Sequence, residues 1–120
     1  MTVGELLQLT SLNGLKLLAG GLGVHREIST VTVVDTPDGF QWLKGNEVVI
    51  TTTFALEHTP DAFLDFTATL ISKNISALIV KTDRYLKTIP ENAKKLCDEK
   101  SMPLIYCPPS YAFADIINPT

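Results

Sequence analysis

Three short apolar runs in the second half of the chain, Glu47–Thr52, Ala77–Val80 and Pro103–Cys107, are separated by two stretches with helical apolar spacing. This alternation constrains the fold more than any other feature. A helix between two strands carries the chain back over the sheet and delivers the second strand parallel to the first. Val48, Val49, Ile50 and Thr51 are β-branched without polar alternation, as expected of a strand covered on both faces. The first helical stretch opens on Thr59, Pro60 and Asp61: an N-cap, a proline at the first helical position and an acid facing the positive end of the dipole. Phe63, Phe66, Leu70 and Ile71 form its apolar stripe, and Lys73-Asn74 closes it with a cation and a residue that tolerates the left-handed cap. The second stretch, Pro90 to Lys100, is expected to bury Ala93, Leu96 and Cys97.

The first half is less regular. Thr2 and Glu5 have capping-box spacing and predict a short helix. Leu15–Ala19 and Ile28–Val34 read as strands, separated by Gly20, Gly21 and Gly23 as a tight turn. Short strands of this kind form antiparallel or mixed pairs beside the parallel unit. The expected fold is therefore α/β: a mixed sheet with a parallel β-α-β-α-β unit in the C-terminal half and short, glycine-separated strands in the N-terminal half. Ser110 can cap a last helix, Tyr111–Ile117, which Asn118-Pro119 breaks. With no repeat and no internal linker, residues 1–120 read as a single domain, and Pro119 reads as the start of a connection, so the chain looks like an excised N-terminal module.

Composition removes several function classes. The hydrophobic share of 45% argues against disorder, and no apolar run approaches the ~18 residues that span a bilayer. No membrane partner is expected. The opening MTVGELLQLTSL lacks a basic leader, which points to a cytoplasmic setting. Ten basic and thirteen acidic residues leave a net charge of −3 without a Lys/Arg stripe, so direct nucleic-acid contact is not expected. Cys97 and Cys107 form no CxxC pair and have no neighbouring His, so they read as buried free thiols, with neither a metal nor a cofactor.

No catalytic set emerges. The AGGLGVHRE segment lacks the Walker spacing and a dinucleotide fingerprint. His25 reads as a surface turn residue and His58 as solvent-facing before the Thr59 cap. There is no GxSxG elbow, and Ser72, Ser76 and Ser110 fall where capping explains them. Asp35 and Asp38 could pair as carboxylates, yet in TPDG Asp38 is first a turn former. The ends of the parallel strands offer Thr51, Thr52, Thr53, Lys81, Arg84 and Tyr85, where open α/β sheets bind ligands. The Val31–Thr53 segment adds Asp35, Trp42, Lys44 and Glu47. Together these are the candidates for binding a small polar metabolite. The threonines also suit strands, and the charges also suit solvent. Trp42 with Phe40, joined by Tyr111 and Phe113 of the last helix, is the alternative: an isologous patch for homo-oligomerisation.

The order TVGELLQLTSLNGLKLLAGGLGVHREISTVTVVDTPD, WLKGNEVVITTTFAL, IPENAKKLCDEKSMPLIYCP and FADII resembles the N-terminal domain of PucR-type transcriptional regulators, the purine catabolism regulator family. The resemblance covers almost the whole chain. It implies a non-enzymatic regulatory module that senses a metabolite or mediates assembly, with downstream domains in the same polypeptide carrying a C-terminal helix-turn-helix. It supplies no catalytic residues. Asp35, Trp42, Gly45, Glu47, Thr51 and Thr52 match the family's recurring central block, and Asn46 stands where a second glycine is common.

Overall fold

The computed structural model describes residues 1–8, 14–34, 41–51, 62–81 and 91–108. Five strands form one mixed sheet in the order β1-β5-β4-β3-β2. They are β1 (Lys16–Ala19), β2 (Thr30–Val33), β3 (Glu47–Thr51), β4 (Ala77–Lys81) and β5 (Leu104–Cys107), with helices α1 (Val3–Leu7), α2 (Ala62–Ser72) and α3 (Glu91–Lys100). Strands β2 to β5 are mutually parallel, and β1 lies antiparallel against β5. The parallel unit expected from the second half of the sequence is present, and the first half supplies one antiparallel and one parallel strand.

Because β2, β3, β4 and β5 are added in one direction across the sheet, α2 and α3 share one face. There Phe63, Phe66, Leu70, Ala93 and Cys97 pack on Val49, Leu78, Val80 and Leu104. Leu96, expected to be buried, is only half-buried. The opposite face, with Val48, Ile50, Ala77, Ile79 and Ile105, receives Val3 and Leu6 of α1 together with Leu15. Strand β3 is buried at every position, in line with its uninterrupted β-branched run. Each such Val or Ile contributes about 1.5–3 kcal/mol relative to an exposed position.

The helix ends follow their sequence signals. Thr2 caps α1, and the capping box closes reciprocally: Glu5 N–H donates to Thr2 Oγ1 at 3.2 Å and Thr2 N–H to Glu5 Oε1 at 3.0 Å. The Thr2 backbone N–H, then its hydroxyl, hold the Glu5 carboxyl below its ordinary pKa of 4.5. A lowered folded-state pKa stabilises above the unfolded value, and this contribution is lost as pH falls through the folded one. Asn74 ends α2 at φ 60°, and Ser101 ends α3 at φ 53°. The Thr59 cap, His58, Ser110 and the helix expected over Tyr111–Ile117 lie outside the described residues.

One expectation needs correction. The glycine segment is not a tight turn between neighbouring strands, because β1 and β2 occupy opposite edges of the sheet. Gly21–Gly23 form a 3-10 turn that starts a strap running beneath the amino-terminal ends of the parallel strands. Gly20 N–H donates to Asp98 Oδ1 at 2.7 Å, and Ser29 N–H to the Asn46 carbonyl at 2.8 Å. Between these points, Arg26 Nε donates to the Ser101 carbonyl at 3.0 Å, and its terminal nitrogens reach the Lys100 and Ile75 carbonyls. The Ser76 hydroxyl donates to the Glu27 carbonyl. The strap is thereby tied to the loops that precede β3, β4 and β5.

Cys97 and Cys107 are both buried and form no disulfide, and they lie on opposite faces of the sheet. Burial, with a smaller contribution from the Asp98 charge, pushes the Cys97 thiol up to about 12. The thiolate is the reactive form, so native Cys97 should be almost inert at neutral pH. Titration with a disulfide reagent is expected to be slow in buffer and complete within minutes in denaturant. Rapid labelling of the native protein would contradict the buried placement.

Candidate functional site

The candidate residues divide between the two ends of the sheet. Trp42, Lys44 and Glu47 lie at the amino-terminal end of β3, and Thr51 and Lys81 at the carboxyl ends of β3 and β4. The four residue steps from Glu47 to Thr51 span about 13 Å at strand rise. The two groups therefore do not converge on one small ligand. Asp35, Phe40, Thr52, Thr53, Arg84, Tyr85, Tyr111 and Phe113 lie outside the described residues.

At the amino-terminal end, the Glu47 side chain is turned inward. The residue is 5% exposed. Its Oε2 accepts the Lys44 N–H at 2.6 Å, and Oε1 accepts the Gly45 N–H at 2.8 Å. Gly45 at φ 115° and Asn46 at φ 66° bend the chain so that both N–H groups face this carboxylate. The geometry is that of a buried carboxylate organising a turn. Trp42, by contrast, is 74% exposed, while its neighbour Leu43 packs against the helix-side core. Nothing in the sequence distinguishes an exposed tryptophan here from one in the core, since Phe40, Trp42 and Leu43 are all apolar.

At the carboxyl end, Thr51 pairs with Val80 across β3 and β4, and Lys81 with Cys107 across β4 and β5. Strand alternation puts Thr51 on the helix-covered face with Val49, and Lys81 on the opposite face with Ile79. Thr51 is buried and Lys81 half-buried. The two lie close along the edge and diverge across it. Because the parallel strands are wound in one direction, their order never reverses, and reversal is what opens the ligand crevice of doubly wound sheets.

A separate, shallow depression of about 680 Å³ lies between β1 and α3, lined by Leu18, Glu91, Asn92, Lys94, Lys95 and Asp98. None of the sequence candidates lines it. Lys94 pairs with Glu91 at 3.3 Å, and Asp98 is engaged by Gly20. Among the described residues, no group of His, Cys, Asp and Glu side chains could hold a metal ion, and no helix is long and apolar enough to cross a membrane. The residue that sequence reasoning missed is Arg26. Its acceptors are backbone carbonyls from distant loops, which carry no side-chain signature.

A profile of the purine catabolism regulatory protein-like (PucR) family matches residues 5–120. The chain belongs to this family. Across all 120 residues the PucR-family chain is 29% identical to the purine catabolism regulatory protein of Bacillus subtilis (strain 168), and it spans 23% of that relative's length. No solved structure matches it. The match begins inside α1 and runs through the strap, Arg26, the Glu47 turn and the parallel unit.

Proposed function

We propose that this PucR-family domain is the regulatory module of a bacterial transcriptional regulator, and that it senses a small polar metabolite without catalysing a reaction. The observation that carries this reading is the family match over residues 5–120, with a relative named as a purine catabolism regulatory protein and more than four times as long. In such an arrangement the remaining domains of the same polypeptide bind DNA, consistent with a net charge of −3 on this one. The polar candidates for such a ligand lie toward the carboxyl ends of the strands. The Thr51 and Lys81 positions lead directly into Thr52, Thr53, Arg84 and Tyr85, with Asp35 following β2.

A ligand that binds the folded state alone stabilises it by RT ln(1 + [L]/Kd), about 2.7 kcal/mol at a hundredfold excess over Kd. In a thermal-shift screen of purines, ureides and amino acids at millimolar concentration, at least one compound is expected to raise Tm by several degrees. Lys81→Met should reduce that shift. A flat response across the panel would remove the sensor reading.

The exposure of Trp42 favours a second reading, an interaction module that brings two copies together with no small-molecule ligand.

A further inference from the structure

We infer that the outer edge of β2 is a homodimerisation edge, on which a second copy of this chain adds its own β2 antiparallel about a two-fold axis through Thr32. The inference is independent of any small-molecule ligand and gives the interaction reading a specific surface. Strand β2 ends the sheet, and among the described residues only β3 pairs with it. Val34 N–H donates to the Ile50 carbonyl at 2.9 Å. By alternation, the backbone groups of Thr32 also face β3 and those of Val31 and Val33 point outward, while the Ser29 N–H, which donates to the Asn46 carbonyl, marks an irregularity just before the strand begins. An antiparallel copy centred on Thr32 sets Val31 opposite the partner's Val33 and Val33 opposite the partner's Val31. Those are the residues whose N–H and C=O groups are directed outward, so each such pair can exchange both hydrogen bonds. Side chains in opposed positions then share a face, as antiparallel pairing requires.

The occupant follows from the composition of this edge and from its contrast with the other one. Thr30, Val31, Thr32 and Val33 carry no charge and no proline, so the strand meets itself without like-charge repulsion. From Thr30 to Val33 its register with β3 is unbroken. Natural edges are usually blunted by lysine, proline or a bulge. The β1 edge shows such devices: Lys16 at its start, a break in register between Leu17 and Ala19, and left-handed Gly20 at its end. With one edge open among the described residues and the other blunted, pairing stops at two copies and forms no fibre.

Pairing of so short a strand buries on the order of a few hundred Å² per copy, against roughly 800 Å² in a standard interface. The isolated domain should therefore associate weakly.

The test exploits the two-fold axis. At a non-hydrogen-bonded antiparallel pair, Thr32 and its symmetry mate would have Cα atoms about 4.5 Å apart, within disulfide reach. The two copies of Thr30 would be about 14 Å apart, outside it. Cys97 and Cys107 are buried and do not compete. Under mild oxidation at high protein concentration, Thr32→Cys is expected to form covalent dimer at least ~10-fold faster than Thr30→Cys. Sedimentation equilibrium of the unmodified chain should show a mass rising above 13.1 kDa with concentration, and Thr32→Lys should suppress that rise while leaving the circular dichroism unchanged. Equal crosslinking rates for the two cysteine variants, or a strict monomer at millimolar concentration, would overturn the inference. So would a dimer that survives Thr32→Lys and is lost in Trp42→Ala, an outcome that would leave the interaction reading in place on a different surface.

Discussion

Gly23→Ala is expected to destabilise the domain by about 3 kcal/mol or more, the upper end of the range for overpacking. A Cβ at Gly23 would lie 1.8 Å from the Ser101 carbonyl oxygen and 2.9 Å from Pro103 Cδ. The obstacle is space, and it is backbone, so no rotamer change relieves it. Neither side can retreat cheaply. Ser101 O accepts from Arg26 Nε, and the Gly23 carbonyl accepts the Arg26 N–H at 3.1 Å. For a domain of this size, such a loss lowers Tm by roughly 10 °C. Thermal and urea unfolding followed by circular dichroism would measure it. Gly21→Ala is the internal control, because its Cβ would meet only Leu17 Cδ2 at an ordinary 3.5 Å. If the two variants melt together, the strap does not dock beneath the strands as described.

Glu47→Gln should cost about 2 kcal/mol, and it also separates two roles for this residue. The substitution keeps the volume. It replaces one carboxylate oxygen with an amide nitrogen that cannot accept a hydrogen bond, so the Lys44 or Gly45 N–H faces a donor. Hydrogen bonds to a charged acceptor are worth about 1.5–3 kcal/mol, although the exposed position of Lys44 lets water recover part of the loss there. Glu47→Ala should cost more, since it removes both acceptors and leaves a void. A recognition residue would behave differently: Glu47→Gln would leave the urea midpoint unchanged and abolish any thermal shift produced by a ligand.

The parts of the fold legible in the sequence are those whose signals are local. The strands β3, β4 and β5 declared themselves through short apolar runs, α2 through its stripe of Phe63, Phe66 and Leu70, and α1 through the Thr2/Glu5 box. The winding followed from their alternation. The path of the glycine segment was not legible, since the three glycines suit a hairpin and a strap equally. What separates the two is the packing of Gly20 and Gly23 against Ser101, Met102 and Pro103, residues remote in sequence. Among the described candidates, Glu47 and Thr51 separate for a related reason. A strand's two ends lie close in sequence and far apart in space, so Glu47 and Thr51 look like neighbours on paper and mark opposite ends of β3. The buried role of Glu47 was foreshadowed by Gly45, whose positive φ makes the turn, but the inward course of the carboxylate had no signature of its own.

The pairing of β1 with β5 joins the beginning of the sheet to its end, Lys16 to Tyr106. No shorter piece of the chain contains the whole sheet. During synthesis the parallel unit can assemble as its strands emerge, but β1 must wait for Leu104–Cys107 before it has a partner. The strap cannot dock until Lys100 and Ser101 have emerged to receive Arg26. Contacts of such long sequence separation slow folding. They also make the finished domain a closed circuit, in which loosening either terminal part undoes the other.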